Sequence, residues 1–302
     1  MRVFVAGATG YVGSAVVREL LESGHDVLGL ARSEASADAL AKAGVEVHRG
    51  DIDDPAGLRA GAAKADGVVF AANKHISETT DSAARARAEL NAVEALGAEL
   101  AGTDRPFVVT SGVLGRAPGR VLTETTPTDP SALTSPRLPV EQAVLAMAGR
   151  GVRSSSVRLA PTVHGRGDAR GFVSALIGIA RAKGVSAFVG DGANRWPAVH
   201  RLDAAVLYRL AVESAVAGAR LHAVAEEGVP FRDIADAIGR RLELPVVSLT
   251  AAEASEHFAG FLAPLVSLDS PASSALTRER LSWSPAHPTL VADIEEGHYF
   301  EG

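Results

Sequence analysis

Short apolar runs alternate with helical stretches from the first residue of the chain. Arg2-Val3-Phe4-Val5-Ala6 reads as a strand, and Ser14 to Leu21 reads as a helix. Asp26–Ala31, Val45–His48, Gly67–Ala72, Pro106–Thr110 and Arg153–Leu159 repeat the strand pattern. Helical stretches separate them at Ala35–Ala43, Asp81–Ala101 and Val140–Arg150. The run Gly67–Ala72 is apolar throughout, as a strand covered on both faces must be, and that places it in a parallel sheet. Helices at Phe172–Ala182 and Ala204–Ala217 and a strand at Leu221–Ala225 follow. The helix Phe231–Arg241, the strand Val246–Leu249 and shorter pieces to Phe300 then form a smaller, more irregular lobe.

Between the first strand and the first helix stands Gly7-Ala8-Thr9-Gly10-Tyr11-Val12-Gly13. Glycines let a backbone turn sharply and approach a ligand closely. The free N–H groups and positive end of the helix behind them attract an anion. A strand, a glycine turn and a helix in that order therefore predict a phosphate site, with Gly7, Thr9, Gly10, Tyr11, Val12 and Gly13 around it. The second strand ends Ala31-Arg32-Ser33. An acidic residue there would hold the ribose hydroxyls of NAD and repel a 2′-phosphate. A guanidinium grips phosphate with two donors, so Arg32, helped by the Ser33 hydroxyl, predicts NADP(H) in preference to NAD(H). Asn73-Lys74-His75 follows the fourth strand, at the carboxyl edge where open α/β sheets bind their ligands.

Composition adds limits. The chain has 302 residues, of which 47% are hydrophobic and 22% charged, enough for a large core. The net charge is −6 and no basic patch stands out, which argues against nucleic acid and anionic membranes as partners. There is no cysteine, so disulfides and thiolate chemistry are excluded. No apolar run approaches the roughly 18 residues of a membrane helix. The first strand begins at residue 2, which speaks against a signal peptide. These features fit a cytoplasmic protein with a small-molecule substrate, and a homodimer is compatible with them. Histidine and acid spacings match no metal pattern.

The glycine turn GATGYVG resembles that of the extended and atypical short-chain dehydrogenase/reductase superfamily. The likeness continues through Asp51-Ile52, Ala71-Ala72, Thr110-Ser111, Pro161 to Gly165 and His200 to Asp203. It implies a doubly wound parallel sheet, a Rossmann fold, with a smaller C-terminal substrate lobe. Residues 1–165, with 198–225, would form the cofactor domain; 166–197 and 226–302 would form the lobe. In relatives the acid–apolar pair contacts adenine, although Asp51 could equally cap a helix before Pro55. The two alanines leave room for ribose and phosphates, and Pro161 and Val163 belong to a segment near the cofactor. A hydroxyl polarises the substrate carbonyl; counting back from Gly115 gives that position to Thr110, with Ser111 as the neighbouring alternative. Ser111, Val113 and His164 would face the substrate, and Asn194 and Trp196 would sit in a substrate-facing loop.

The resemblance breaks at the catalytic centre. Extended members carry Tyr-x-x-x-Lys, in which the tyrosine moves a proton and the lysine holds the ribose. The chain has three tyrosines, and none has a lysine four residues on. Aligning on Glu141 puts Leu133 in the tyrosine slot and Arg137 in the lysine slot, where Arg137 could still bind ribose or phosphate. His75 and His200 are candidate replacements, because imidazole titrates near neutrality. The expected function is an NADP(H)-dependent oxidoreductase of the atypical class, acting on a small carbonyl, imine or activated alkene. The alternatives are a nicotinamide-binding sensor without turnover and a nucleotide-sugar epimerase or dehydratase.

Overall fold

A computed structural model describes residues 1–74, 81–114, 120–127, 135–258, 260 and 262–301. The first half runs β1 (Arg2–Ala6), α1 (Tyr11–Glu22), β2 (Asp26–Ala31), α2 (Glu34–Lys42), β3 (Glu46–Arg49), α3 (Pro55–Ala62), β4 (Gly67–Phe70), α4 (Ser82–Leu100), β5 (Pro106–Gly112), α5 (Leu138–Ala146) and β6 (Arg153–Leu159). The second half runs β7 (Thr162–His164), α6 (Phe172–Lys183), β8 (Ser186–Val189), β9 (Arg195–His200), α7 (Arg201–Ser214), β10 (Ala219–Ala223), β11 (Glu226–Pro230), α8 (Phe231–Leu242), β12 (Val246–Leu249), α9 (Ala251–Phe258), α10 (Ala275–Leu281) and α11 (Leu290–Glu295).

Seven parallel strands form the main sheet in the order β10-β6-β5-β4-β1-β2-β3. The order reverses between β1 and β4, so a crevice opens at their carboxyl ends. Helices cover both faces. Val16, Leu20, Leu207 and Tyr208 pack on one side, and Leu58, Val93, Leu96 and Val144 on the other. Local chemistry starts the helices: the Asp54 side chain accepts from Ala56 N ahead of Pro55, and Asp81 accepts from Ala83 N and Ala84 N. Among the described residues no helix is long and apolar enough to cross a membrane.

The segments at 162–164 and 195–200, not anticipated as strands, pair in a small sheet of order β11-β9-β7. This sheet joins the main core to a second core built on Trp196, Phe231, Ile234 and Phe258. The sequence pattern places Trp196 in a substrate-facing loop. It is fully buried, with the Phe231 ring 5.0 Å away edge-on and the Phe172 ring at 5.3 Å. Asn194 likewise serves the fold, since its Nδ2 donates to the Val266 carbonyl at 2.9 Å. Val113 is wholly inside the main core and does not face a substrate.

Candidate functional site: a dinucleotide cleft at the sheet switch point

The turn after β1 is held by Gly10 N donating to Gly7 O at 2.9 Å. Gly7 has φ +88°, a conformation that side chains disfavour, and a Cβ there would lie 2.7 Å from the Ala71 and Ala72 backbone. Gly13 lets α1 come against the turn, because a Cβ on it would meet Gly7 O at 1.9 Å. Gly10 precedes α1 and has no side chain to cap it. The first N–H groups of the helix therefore stay available to an anion.

Two cavities meet at this turn. One, of about 550 Å³, is lined by Arg32, Ser36, Asp51, Ile52, Ala71 and Ala72. The other, of about 790 Å³, runs past Tyr11, Pro161, Val163, Asp168 and Phe172. Thr9, Gly10 and Asn73 line both. A bare helix end at the junction of two cavities fits a dinucleotide, with a base and ribose on each side of a diphosphate. The residue that flanks Arg32 is Ser36. Ser33 is instead the N-cap of α2, its hydroxyl accepting from Ser36 N at 3.2 Å. Asp51 accepts from Asp53 N, and Lys74 is tied to Asp53 at 2.5 Å.

The expected catalytic groups separate. Thr110 and Ser111 alternate across β5. The Thr110 hydroxyl faces α7 and shares a 2.7 Å hydrogen bond with the Tyr208 hydroxyl, which is buried and whose pKa is raised by that burial. Thr110 is half-buried with its hydroxyl engaged and Ser111, next on the strand, is buried, so exposure does not choose between the two hydroxyls. Glu89, Arg137 and Ser156 lie close to Ser111. Arg137 does not offer its whole fork to a phosphate: Nε donates to Glu89 at 2.9 Å and Nη2 to Thr110 O at 3.1 Å.

His164 and His200 are engaged by the fold. His164 is fully buried, with Nδ1 3.0 Å from Asp293 Oδ2. His200 is the N-cap of α7, Nδ1 accepting from Leu202 N, and its ring stacks on His287 at 4.7 Å. Burial, then the neighbouring His164 and His287, push the His200 imidazole down to about 4. An imidazole held neutral and spent on a helix cap is poorly suited to donating a proton near neutrality. His75 lies outside the described residues, as do Gly115 and Leu133.

Sequence reading missed the loop from Gly165 to Gly171 and the first residue of α7. Arg201 lies over the Tyr11 ring at 4.6 Å and donates to Ser14 Oγ and Arg166 O. The Tyr11 hydroxyl donates to Gly165 O at 2.9 Å, and burial, then the Asp168 carboxylate, raise its pKa. No local signal marks these partners: Tyr11 and Gly165 lie 154 residues apart, and Arg201 and Ser14 187.

A doubly wound parallel sheet with a glycine turn at its switch point defines the chain as a nucleotide-binding α/β protein. The NAD dependent epimerase/dehydratase family model matches residues 3–224, and the chain belongs to that family. It is 47% identical over 302 residues to uncharacterized protein C2A9.02 of Schizosaccharomyces pombe, covering 99% of this chain and 100% of the relative. It is 30% identical to 2'-dehydrokanamycin reductase of Streptomyces kanamyceticus, over 87% of this chain and 74% of that protein. The fold matches the crystal structure of DesIV, a dTDP-glucose 4,6-dehydratase from Streptomyces venezuelae with NAD and TYD bound. That match has a TM-score of 0.79 and 18% identity, and covers 99% of this chain and 97% of the other.

Proposed function

We propose that the chain is an NADP(H)-dependent oxidoreductase that acts on a small organic carbonyl, imine or activated alkene. The observation that carries the cofactor choice is Arg32. It lines the smaller cavity beside Ser36 at the end of β2, where a carboxylate would select NAD. The glycine turn would hold the diphosphate, and Asp51-Ile52 with Ala71-Ala72 would wall the adenosine half. The bound cofactor would supply or accept a hydride. Thr110 and Ser111 are the two hydroxyls this reading offers to orient the substrate, Thr110 already sharing a hydrogen bond with Tyr208. Transfer to an iminium or an activated alkene asks less of a protein acid than ketone reduction does. That agrees with a chain lacking Tyr-x-x-x-Lys, and a relative named as a reductase supports the reaction class.

Fluorescence titration of NADPH and NADH on the wild type and Arg32→Ala tests the cofactor half. NADPH should bind more tightly, and the substitution should remove about tenfold or more of that preference, as the loss of a charge-assisted pair implies. Equal affinities in the wild type would end the Arg32 reasoning. NADPH oxidation across a panel of aldehydes, ketones, imines and enones tests the reaction half. Tight binding with no turnover on any of them would favour the sensor, the second reading that the missing tyrosine supports.

A further inference from the structure

The loop between β7 and α6 carries an arginine whose placement the cofactor reading leaves unexplained. Arg170 lines both cavities, together with Thr9, Gly10 and Asn73. It therefore stands at their junction, across from the glycine turn. Its backbone is fixed: Asp168 Oδ1 accepts from Arg170 N at 3.2 Å and from Gly171 N at 2.6 Å, and Ser174 Oγ donates to Asp168 O at 2.6 Å. Its guanidinium is exposed and has no hydrogen bond or ion pair among the described residues. Nearby cations are engaged otherwise, Lys74 by Asp53, Arg137 by Glu89 and Arg201 by Ser14, Arg166 and the Tyr11 ring.

A guanidinium and the positive end of α1 thus border one open space. Two positive features facing each other are unfavourable unless an anion lies between them. A diphosphate diester carries two negative charges and has oxygens on both sides, so one side can take the helix N–H groups while the other takes a two-pronged guanidinium. Arg32 reaches only the smaller cavity, whereas Arg170 also lines the larger one, and that places Arg170 at the diphosphate and not at a 2′-phosphate.

We propose that Arg170 is a ligand of the cofactor diphosphate, contributed from the C-terminal side of the cleft, so that the loop before α6 closes over the dinucleotide. This rests on the dinucleotide reading above. The test is fluorescence titration of NADPH and NADH, with displacement by ADP-ribose and by adenosine 2′,5′-bisphosphate, on the wild type, Arg170→Ala and Arg170→Lys. Arg170→Ala should weaken NADPH and NADH by the same factor, about tenfold, the size of one charge-assisted contact. ADP-ribose, which keeps the diphosphate, should weaken alike, and adenosine 2′,5′-bisphosphate, which keeps only its 5′-phosphate, should lose less. Arg170→Lys should recover part of the loss, and the melting temperature without nucleotide should be unchanged. A loss confined to NADPH and the bisphosphate would assign Arg170 to the 2′-phosphate and overturn the proposal. Unchanged affinity for all four probes would overturn it as well. A wild-type protein that binds no nicotinamide dinucleotide would fail the earlier reading first, an outcome visible before any variant is made.

Discussion

A methyl group added at Gly13 would stand 1.9 Å from the Gly7 carbonyl oxygen and 2.8 Å from its carbonyl carbon. Helix propensity alone favours Gly13→Ala by about 0.5–1 kcal/mol, since alanine loses less entropy in a helix. The clash opposes it and should win. Both contacted atoms are backbone, so no flexible side chain can swing away; the helix and turn must part by about 1.5 Å to reach ordinary carbon–oxygen contact. Moving α1 disturbs Ala15, Val16 and Leu20, which are packed in the main core. Overpacking of this kind costs about 1–3 kcal/mol, so a net loss of about 1–2 kcal/mol is expected, lowering the melting temperature of a chain this long by about 2–3 °C. The same displacement misaligns the first-turn N–H groups, and losing one or two charge-assisted hydrogen bonds weakens NADPH by about 10- to 100-fold. Gly10→Ala is the control. Its Cβ would approach only Gly7 O, at 3.2 Å, and should cost much less stability, although NADPH still weakens because Gly10 lines both cavities. Thermal melts and NADPH titrations of the two variants decide the matter. A Gly13→Ala protein as stable and as tight-binding as the wild type would refute the close approach of α1 to the turn.

Acid should destabilise the protein in two steps. His200 is held neutral at about 4, and His222 is likewise pushed down, chiefly by burial. The unfolded chain binds these protons near pH 6.5, so their contribution is whole above that pH and fades as pH falls toward 4. For His200 it is worth about 3 kcal/mol. His200→Asn keeps a capping side chain and should flatten that part of the stability profile, measured by denaturant melts from pH 7 to 4; an unaltered slope would contradict it. Asp293 behaves in the other acid range. Burial would raise its carboxyl, but hydrogen bonds from His164 and His298 prevail and hold it at about 2, so its contribution persists above pH 4 and is lost as pH falls to 2. Arg158 is fully buried and grips Glu141 with Nε and Nη2, both at 2.8 Å. Arg158→Met should cost about 3–5 kcal/mol by stranding the carboxylate, and adding Glu141→Leu should restore much of it, since a buried pair can be replaced better than it can be halved. A melting temperature no higher in the double variant than in the single one would count against that account.

Much of the scaffold was legible because it is local. Apolar runs that must be buried on both faces become strands of a parallel sheet, and capping residues such as Asp54 and Asp81 start the helices they precede. The glycine turn could be read for the same reason: a left-handed backbone at Gly7 and a close approach at Gly13 are conditions on a few adjacent residues. The choice between Thr110 and Ser111 could not be read. A strand covered on both faces shows no alternation, so nothing along β5 says which neighbour faces α7.

Only the tertiary structure decided which groups meet. It gave Thr110 to Tyr208, 98 residues away, and sealed Trp196 into the second core. It took His200 for a helix cap and brought Arg170 and Arg201 to a turn made by the first thirteen residues. A polar side chain several bonds long can serve many partners, and its own neighbours in the chain do not select among them. The crossing of distant strands and helices does, because burial leaves each such group only the partner that packing puts within reach.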